Sequence, residues 1–200
     1  MPNDDVRGSR QPDPHSAMIL HVLEAASRNV ACTMDALSKT TGIPLNEVRS
    51  ICITLEDWEL MRFSRDRTLL TQWGVMLLDS MPLTMVEPPD TDILKGHVQK
   101  AVIVRGGAAN VTDGTEQRDL GMSLGATGLS TFAMVDGRII LPGVPDMDER
   151  FPGLAEKVGG VGLREGDALV VAGSDDPLTS KLIAFEVALA LMKARSQSDF

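Results

Sequence analysis

The chain of 200 residues has few of the residues and segments that mark disulfide-rich, metal-binding or membrane proteins. Its two cysteines, Cys32 and Cys52, fall among apolar neighbours, where a free cysteine usually behaves as a small buried hydrophobe. We therefore expect neither a disulfide nor a metal site. No segment reaches the roughly 18 consecutive apolar residues that a membrane-spanning helix needs, so no membrane partner is expected.

Histidine is also scarce, which limits the chemistry open to the chain. The three histidines are His15, His21 and His97, and none accompanies a plausible nucleophile or a cluster of metal ligands. We predict no catalytic residue and no cofactor. The sequence leaves open whether the chain is an enzyme, although the missing nucleophile and metal motif weigh against one.

Basic residues are outnumbered: 19 Lys and Arg stand against 28 Asp and Glu, giving a formal net charge of −9. Such a chain does not attract nucleic acid through its overall charge, because neutralising phosphates requires clustered Lys and Arg. A small basic face on an acidic protein can still bind a duplex. The first 14 residues are polar and resemble no export signal, so we expect a cytoplasmic protein.

Stretches rich in proline and aspartate divide the chain into two compact units. The hydrophobic fraction of 43% is ordinary for globular domains, and the length suffices for two small cores. We predict a disordered tail over residues 1–14, a winged helix-turn-helix domain over 15–81, a linker over 82–95 and an α/β domain over 96–195.

The first unit has the pattern of a winged helix-turn-helix. Helical spacing predicts a first helix ending near Arg28, a second over Met34–Thr40 and a third from Pro44 to about Asp57. Alternating apolar residues around a turn at Arg65–Arg67 predict a hairpin, the wing. A closing helix follows Thr71, and we expect its apolar side to complete the small core. This helix contains Trp73, Val75, Met76, Leu77 and Leu78.

The predicted third helix and wing together suit DNA binding. The outward side of the helix would face the major groove, and hairpin arginines would contact phosphates beside it. The residues expected to bind DNA are Asn46, Arg49, Ser50, Thr54, Arg62, Arg65 and Arg67. The acidic residues Glu47, Glu56, Asp57 and Glu59 nearly cancel these charges, so an ordinary solvated hairpin and a protein-contact module stay as alternatives.

The second unit alternates strands and helices. Strands are predicted at residues 98–105, 129–135, 138–141 and 168–172, and helices at 115–124, 148–157 and 177–194. Asp136-Gly137 between two strands is a strong hairpin signal. The predicted fold class is therefore α/β, in the wider sense α+β, with an α/β sandwich whose helices lie on one face of a mixed sheet.

Several blocks of the second unit prompt a comparison with a known group of proteins. They are Arg105–Ala108, Asp113–Asp119, Gly125–Gly128, Asp136–Arg138, Leu141–Val144 and Gly173–Pro177. In these blocks, over roughly residues 99–192, the chain resembles archaeal winged helix-turn-helix proteins with an uncharacterised carboxyl-terminal domain. The resemblance implies a transcription regulator, but it implies no ligand and no site residue.

Two strand-to-helix junctions of the second unit are candidate ligand sites. Glycines let a ligand approach the backbone, and amides at a helix start can hold an anion. If the last strand lies beside the first, the carboxylates after it would approach Arg105 and Arg118. The residues predicted to bind a small polar or anionic metabolite are Arg105, Gly106, Gly107, Asp113, Glu116, Arg118, Ser174, Asp175 and Asp176. Helix capping and turns explain the same residues without a ligand.

These patterns predict a regulator that binds double-stranded DNA and whose second unit dimerises and senses a metabolite. The last helix is apolar around most of its circumference, so either a homodimer partner or the core of a single chain must cover it. One alternative is an enzyme acting on a metabolite through Asp113, Glu116, Asp175 or Asp176. Another is an interaction module that does not bind DNA.

Overall fold

The structure, a computed structural model, describes residues 15–28, 33–64, 67–91 and 96–198. The N-terminal part contains four helices and a hairpin in the predicted order. They are α1 (His15–Arg28), α2 (Met34–Thr41), α3 (Leu45–Asp57), β1 (Met61–Phe63), β2 (Thr68–Leu70) and α4 (Gln72–Ser80). The predicted tail over residues 1–14, together with Cys32 and Arg65, lies outside the described residues.

Local capping signals explain why these helices begin and end where they do. The Thr33 hydroxyl accepts a hydrogen bond from the Ala36 N–H at 3.1 Å and so starts α2. Gly42 ends α2 in the left-handed conformation, with φ of 76°, which glycine adopts without strain. Thr71 caps α4 in the same manner as Thr33 caps α2, accepting from the Gly74 N–H at 3.1 Å.

Helix α4 packs differently from the prediction. Only Gly74 is buried and Leu78 half-buried, whereas the side chains of Trp73, Val75, Met76 and Leu77 are exposed. The apolar side that was expected to complete the core is therefore mostly exposed, and of its large side chains only Leu78 packs against the described core. The physical reason is that α1, α2, α3 and Met61 already fill that core, leaving α4 only a narrow contact.

The C-terminal part is built on one five-stranded sheet. Its elements are β3 (Leu83–Val86), β4 (Val98–Val104), α5 (Thr115–Ser123), β5 (Gly128–Val135), β6 (Arg138–Ile140), α6 (Met147–Arg150), α7 (Leu154–Gly159), β7 (Ala168–Ser174) and α8 (Pro177–Ser198). The strand order is β3-β4-β7-β5-β6, and every neighbouring pair is antiparallel. The α+β fold class is thus confirmed, but the prediction of a mixed sheet is wrong.

Strand β7 lies between β4 and β5 and runs opposite to both, so β4 and β5 run in the same direction. The β4-α5-β5 connection is therefore a parallel unit split by a strand from later in the chain. Helices cover both faces of the sheet rather than the one face predicted. One core contains residues of α1 and α8, and the core on the opposite face contains residues of α6 and α7.

The interval predicted as a linker, residues 82–95, contains part of this sheet. Leu83–Val86 form β3, the edge strand that pairs with β4 from Val104 to Ala101. The prediction of a linker is wrong for these residues, because alternating apolar side chains there pack against the sheet core despite the flanking prolines. Residues 92–95, at the end of the interval, are outside the described ranges.

The N-terminal part also contacts the sheet through α1. Ala17 and Leu20 belong to the same buried core as α8, and Glu186 accepts a hydrogen bond from the Ala17 N–H at 2.8 Å. Lys181 of α8 pairs with Glu24 of α1 at 2.8 Å. Both interactions are largely shielded from water, so they fix α1 along α8.

Helix α8 is covered within the chain. Its residues from Ile183 to Leu191 pack against the sheet on one side and against α1 on another. This arrangement explains an apolar circumference without a partner subunit, so the apolar character of α8 no longer argues for a homodimer. Among the described helices, none combines the length and apolar content required to cross a bilayer.

Candidate functional site

The first candidate surface is the outward side of α3. Buried Val48, Cys52 and Leu55 recur at helical spacing and fix the inner side of the helix. The opposite side carries the predicted DNA-binding residues: Asn46, Arg49 and Ser50 are exposed, and Thr54 is half-buried. The sequence therefore predicted correctly which residues of α3 face outward.

The hairpin β1–β2 follows α3 directly. Met61 and Thr68 point inward and are buried, so alternation leaves the Arg62 side chain exposed, and Arg67 before β2 is exposed as well. The two predicted contacts Arg62 and Arg67 thus lie on the hairpin that follows α3. Arg65, which was predicted with them, is outside the described residues.

The acidic residues that the structure describes near this hairpin do not form ion pairs with Arg49, Arg62 or Arg67. None of the ion pairs within the described residues includes Arg49, Arg62 or Arg67. Glu56 instead accepts a hydrogen bond from the Phe63 N–H of the hairpin, at 3.4 Å. The guanidinium groups are therefore accessible to an external anion.

The end of β4 holds a structural ion pair. The guanidinium of Arg105 donates to the carboxylate of Asp167, which is only 3% exposed. The same carboxylate accepts from the N–H groups of Arg164 at 2.9 Å and Gly106 at 3.2 Å. Burial alone would raise the pKa of Asp167, but these hydrogen bonds outweigh it and hold the pKa below its usual value.

The predicted site joining Arg105 to the carboxylates after β7 does not form. Strand β7 does lie beside β4, but the antiparallel register pairs Ser174 with Val98 and Ala168 with Val104. The whole length of β7, seven residues or about 23 Å, therefore separates Arg105 from Asp175 and Asp176. The prediction failed because it required β4 and β7 to be parallel.

Ser174 and Asp176 act as local caps of α8. Asp176 accepts hydrogen bonds from the backbone N–H and hydroxyl of Thr179, at 2.7 and 2.8 Å. The backbone bond is the main reason that the pKa of Asp176 is lowered. Ser174 is buried, and its hydroxyl bonds to Asp176 and to the Ser180 hydroxyl. Asp175 is exposed, and its carboxylate lies 4.0 Å from exposed His97. These contacts match the capping alternative.

The third candidate region is a cleft of about 570 Å³ at the start of α5, which we call the α5 cleft. It brings together Asp113 and Arg118 of the predicted ligand residues, whereas Glu116 does not line it. Gly106, Gly107 and Arg105 line a separate cavity of about 190 Å³. The Thr115 N–H, at the start of α5, donates to the Asp113 carboxylate at 2.9 Å, which lowers the pKa of Asp113.

The sequence patterns gave no indication of the other wall of the α5 cleft. Strand β6 pairs with β5 only over Ala133–Val135, so the beginning of β5 has an uncovered edge. The cleft lies along this edge, and Leu141–Val144 line it as well. Its remaining hydroxyl-bearing residues are Thr115, Thr127, Ser130 and Thr131. The one sequence feature that could have indicated these residues is that β6 is short, because a short β6 leaves the beginning of β5 unpaired.

One residue of the α5 cleft has an unsatisfied polar group. Thr131 is 4% exposed, and its hydroxyl has no hydrogen-bond partner among the described residues. A buried hydroxyl without a partner is unfavourable, since it has lost its hydrogen bonds to water. Among the described side chains no group of His, Cys, Asp or Glu is arranged to hold a metal ion, here or elsewhere.

Comparison with known proteins finds a family that the C-terminal part resembles but assigns this part no activity. Residues 95–191 match a family described as a domain of unknown function, DUF4443. No curated protein matches the sequence. A solved structure of hypothetical protein PH0730 from Pyrococcus horikoshii OT3 is similar over 88% of this chain and 92% of that one, with a TM-score of 0.65 and 21% identity. An archaeal protein therefore shares the fold of both the N-terminal and the C-terminal part.

Proposed function

We propose that the N-terminal part is a winged helix-turn-helix and that the chain is a DNA-binding transcription regulator. The observation that carries the proposal is that three arginines are exposed, Arg49 on α3 and Arg62 and Arg67 on the hairpin, without ion-pair partners among the described residues. In such modules the third helix enters the major groove, and flanking cations hold the phosphates.

The net charge of −9 is compatible with this role if the positive groups act locally. Charges separated by more than about 10 Å are largely screened at ordinary salt, so remote acidic residues weaken phosphate contacts only slightly. The uncharged residues Asn46, Ser50 and Thr54 offer hydrogen bonds to base edges beside these contacts. An acidic surface elsewhere suppresses nonspecific binding, which favours selectivity over raw affinity.

The DNA proposal is tested by replacing Arg49, Arg62 and Arg67 together with alanine. A duplex ligand is first selected from a random-sequence pool with the wild-type chain, and affinity is then measured by fluorescence anisotropy over a range of salt. We expect the variant to bind roughly 100-fold more weakly. The salt slope should fall by about 1 for each phosphate that an arginine no longer neutralises.

A matched control removes three exposed arginines from the C-terminal part: Arg138, Arg150 and Arg164. It changes net charge equally, so it should bind DNA almost as well as the wild-type chain. Equal weakening by both variants would mean that overall charge, not the α3 and hairpin surface, governs binding. If the wild-type chain selects no duplex even at low salt, the DNA proposal fails and a protein-contact role becomes the better explanation.

We further propose that the α5 cleft binds a small polar or anionic metabolite. Arg118 and the amides of the first turn of α5 supply positive potential, while the cleft hydroxyls supply hydrogen bonds. Asp113 adds a carboxylate at one side, so a ligand carrying both an anionic group and a hydrogen-bond donor fits best. The unsatisfied hydroxyl of Thr131 supports the proposal, because a bound ligand would give it a partner.

Replacing Thr131 with valine separates ligand binding from folding. Valine has nearly the same shape and removes the buried hydroxyl, so the free energy of unfolding in urea should rise by about 1 kcal/mol. In thermal-shift screening with amino acids and small phosphorylated metabolites, compounds that stabilise the wild-type chain should not stabilise the valine variant. Destabilisation by valine would show that the hydroxyl already has a partner within the chain and would contradict its role as a ligand contact.

A further inference from the structure

An exposed apolar surface surrounds α4. Trp73 is 62% exposed, Trp58 55%, Met76 50% and Leu77 40%. With Glu59, Leu60 and Ser80 they line an open groove of about 470 Å³, which we call the α4 groove. Large apolar side chains gathered on one surface mark an interaction site, because scattered single exposures are normal but contiguous patches are uncommon.

The exposure of these side chains follows from how α4 is attached. Gly74 lies against the backbone of Leu60, and Leu78 supplies most of the remaining inward contact. Its remaining apolar side chains are exposed, and no neighbour among the described residues buries them. The helix therefore has the composition of one that is covered on two sides, but only one side is covered.

We propose that the α4 groove is the contact surface between two copies of this chain. Each copy presents the same apolar patch, in which the exposed side chains of Trp73 and Met76 form part of the groove walls. In a two-fold symmetric dimer the same patch of both copies meets across the axis, so apolar side chains of one copy can pack against those of the other. Tryptophan and methionine are also enriched at the cores of protein interfaces.

Charge does not prevent two copies from meeting at the α4 groove. A net charge of −9 makes two copies repel one another wherever charged surfaces meet. Among the residues that line the α4 groove, Glu59 alone is charged, so two copies can approach there with little repulsion. The same negative charge disfavours the other apolar acceptor, an anionic lipid surface.

The area is of the right size for an interface. The exposed portions of Trp58 and Trp73 amount to roughly 300 Å², and Met76 and Leu77 add about 150 Å². Two copies would therefore bury about 900 Å² of apolar side chain before the polar rim is included. Stable specific interfaces bury roughly 1,200–2,000 Å² in total, so this core with its rim reaches that range.

The sequence provides a direct reporter, because it contains two tryptophans and no tyrosine, and both tryptophans line the α4 groove. The full chain is diluted stepwise while sedimentation velocity and tryptophan emission are recorded. We expect a dimer that dissociates on dilution, with emission shifting to longer wavelength as the tryptophans enter water. The two transitions should have the same midpoint.

The variant Met76→Lys places a charge in the groove at an exposed position, so it should fold normally and remain monomeric. Ile140→Lys is the matched control: Ile140 is 41% exposed on β6, away from the groove, and its variant should dimerise like the wild-type chain. Circular dichroism verifies that both variants fold.

Three results would overturn the proposal. They are a wild-type chain that is monomeric at every concentration, a dimer that survives Met76→Lys, and emission already typical of buried tryptophan in the diluted monomer. The last result would mean that another part of the same chain, such as residues 1–14, covers the groove. None of these measurements involves DNA, so the dimer proposal and the DNA proposal fail independently.

Discussion

Substituting alanine for Gly74 is expected to destabilise the chain by about 3 kcal/mol. A Cβ atom at this position would lie 2.1 Å from the carbonyl oxygen of Leu60, well inside the contact distance of the two atoms. Because the obstacle is backbone, no side-chain rotation relieves it. The same carbonyl accepts a hydrogen bond from the Thr71 N–H at 3.0 Å, so moving it away from α4 would weaken the start of that helix.

The destabilisation is measured as the change in the free energy of unfolding in urea. Gly159→Ala is the matched control, because Gly159 is also helical and its added Cβ would meet only the flexible end of Ile139, at 3.3 Å. The control should change stability by less than about 1 kcal/mol. Equal stability of Gly74→Ala and the wild-type chain would show that α4 is not held against Leu60 as closely as described.

Acidification is expected to weaken the fold through His21, by about 2 kcal/mol between pH 7.5 and pH 5. His21 is 6% exposed, and its Nε2–H donates to the Thr41 carbonyl at 3.1 Å. Burial, together with the nearby positive charge of Lys181, lowers the pKa of His21 from 6.5 to about 4, although Thr41 and Glu24 act in the opposite direction.

The direction of this change in stability with pH follows from proton binding. The unfolded chain protonates His21 near pH 6.5, whereas the folded chain resists protonation until about pH 4. The unfolded state therefore binds more protons between these values, and stability is complete above pH 6.5 and decreases as the pH falls towards 4. The effect is located where α1 meets α2 and α8, since His21 also faces Phe185 with ring centroids 6.4 Å apart.

Urea titrations at a series of pH values test whether His21 causes this loss of stability. His21→Gln keeps a donor for the Thr41 carbonyl but cannot titrate, so its loss of stability between pH 7.5 and 5 should be smaller by about 2 kcal/mol. His97→Gln removes a histidine whose side chain is 90% exposed and should keep the wild-type pH dependence. An unchanged pH dependence in His21→Gln would exclude this histidine as the cause.

The N-terminal helices could be predicted because their signals are local. Thr33 and Gly42 lie within a few residues of the helix ends that they determine, and the hairpin requires only alternation around one turn. The inner and outer sides of α3 follow from helical spacing in the same way. The exposure of Trp73 was not predictable, because it depends on how much of the core the other helices occupy.

The direction of the strands could not be predicted for a similar reason. The chain order of β4, α5 and β5 correctly suggests two strands that run in the same direction. What separates them is β7, which follows β5 by more than 30 residues and is inserted between the two. No local pattern encodes that insertion, and it turns every neighbouring pair antiparallel.

The site predictions depended on the same long-range information. Arg105 pairs with Asp167, 62 residues further along the chain, so no local sequence pattern indicated that the Arg105 side chain already has an ion-pair partner. Asp175 and Asp176 were expected near Arg105 only through an assumed parallel pairing. Asp113 and Arg118 were found correctly as neighbours because both lie within one short segment at the start of α5.

The N-terminal part is fastened to the sheet at both of its ends, by α1 along α8 and by β3 along β4. The two parts are therefore not independent domains joined by a flexible linker. A fragment beginning after Val86 would leave the edge of β4 without its neighbour and so invite aggregation. A fragment ending at Ser80 would uncover the apolar side of α1. A structural change in one part can therefore reach the other part only through these two packed contacts. We expect such a change to be a small rotation of the packed elements and not a large movement about a flexible linker.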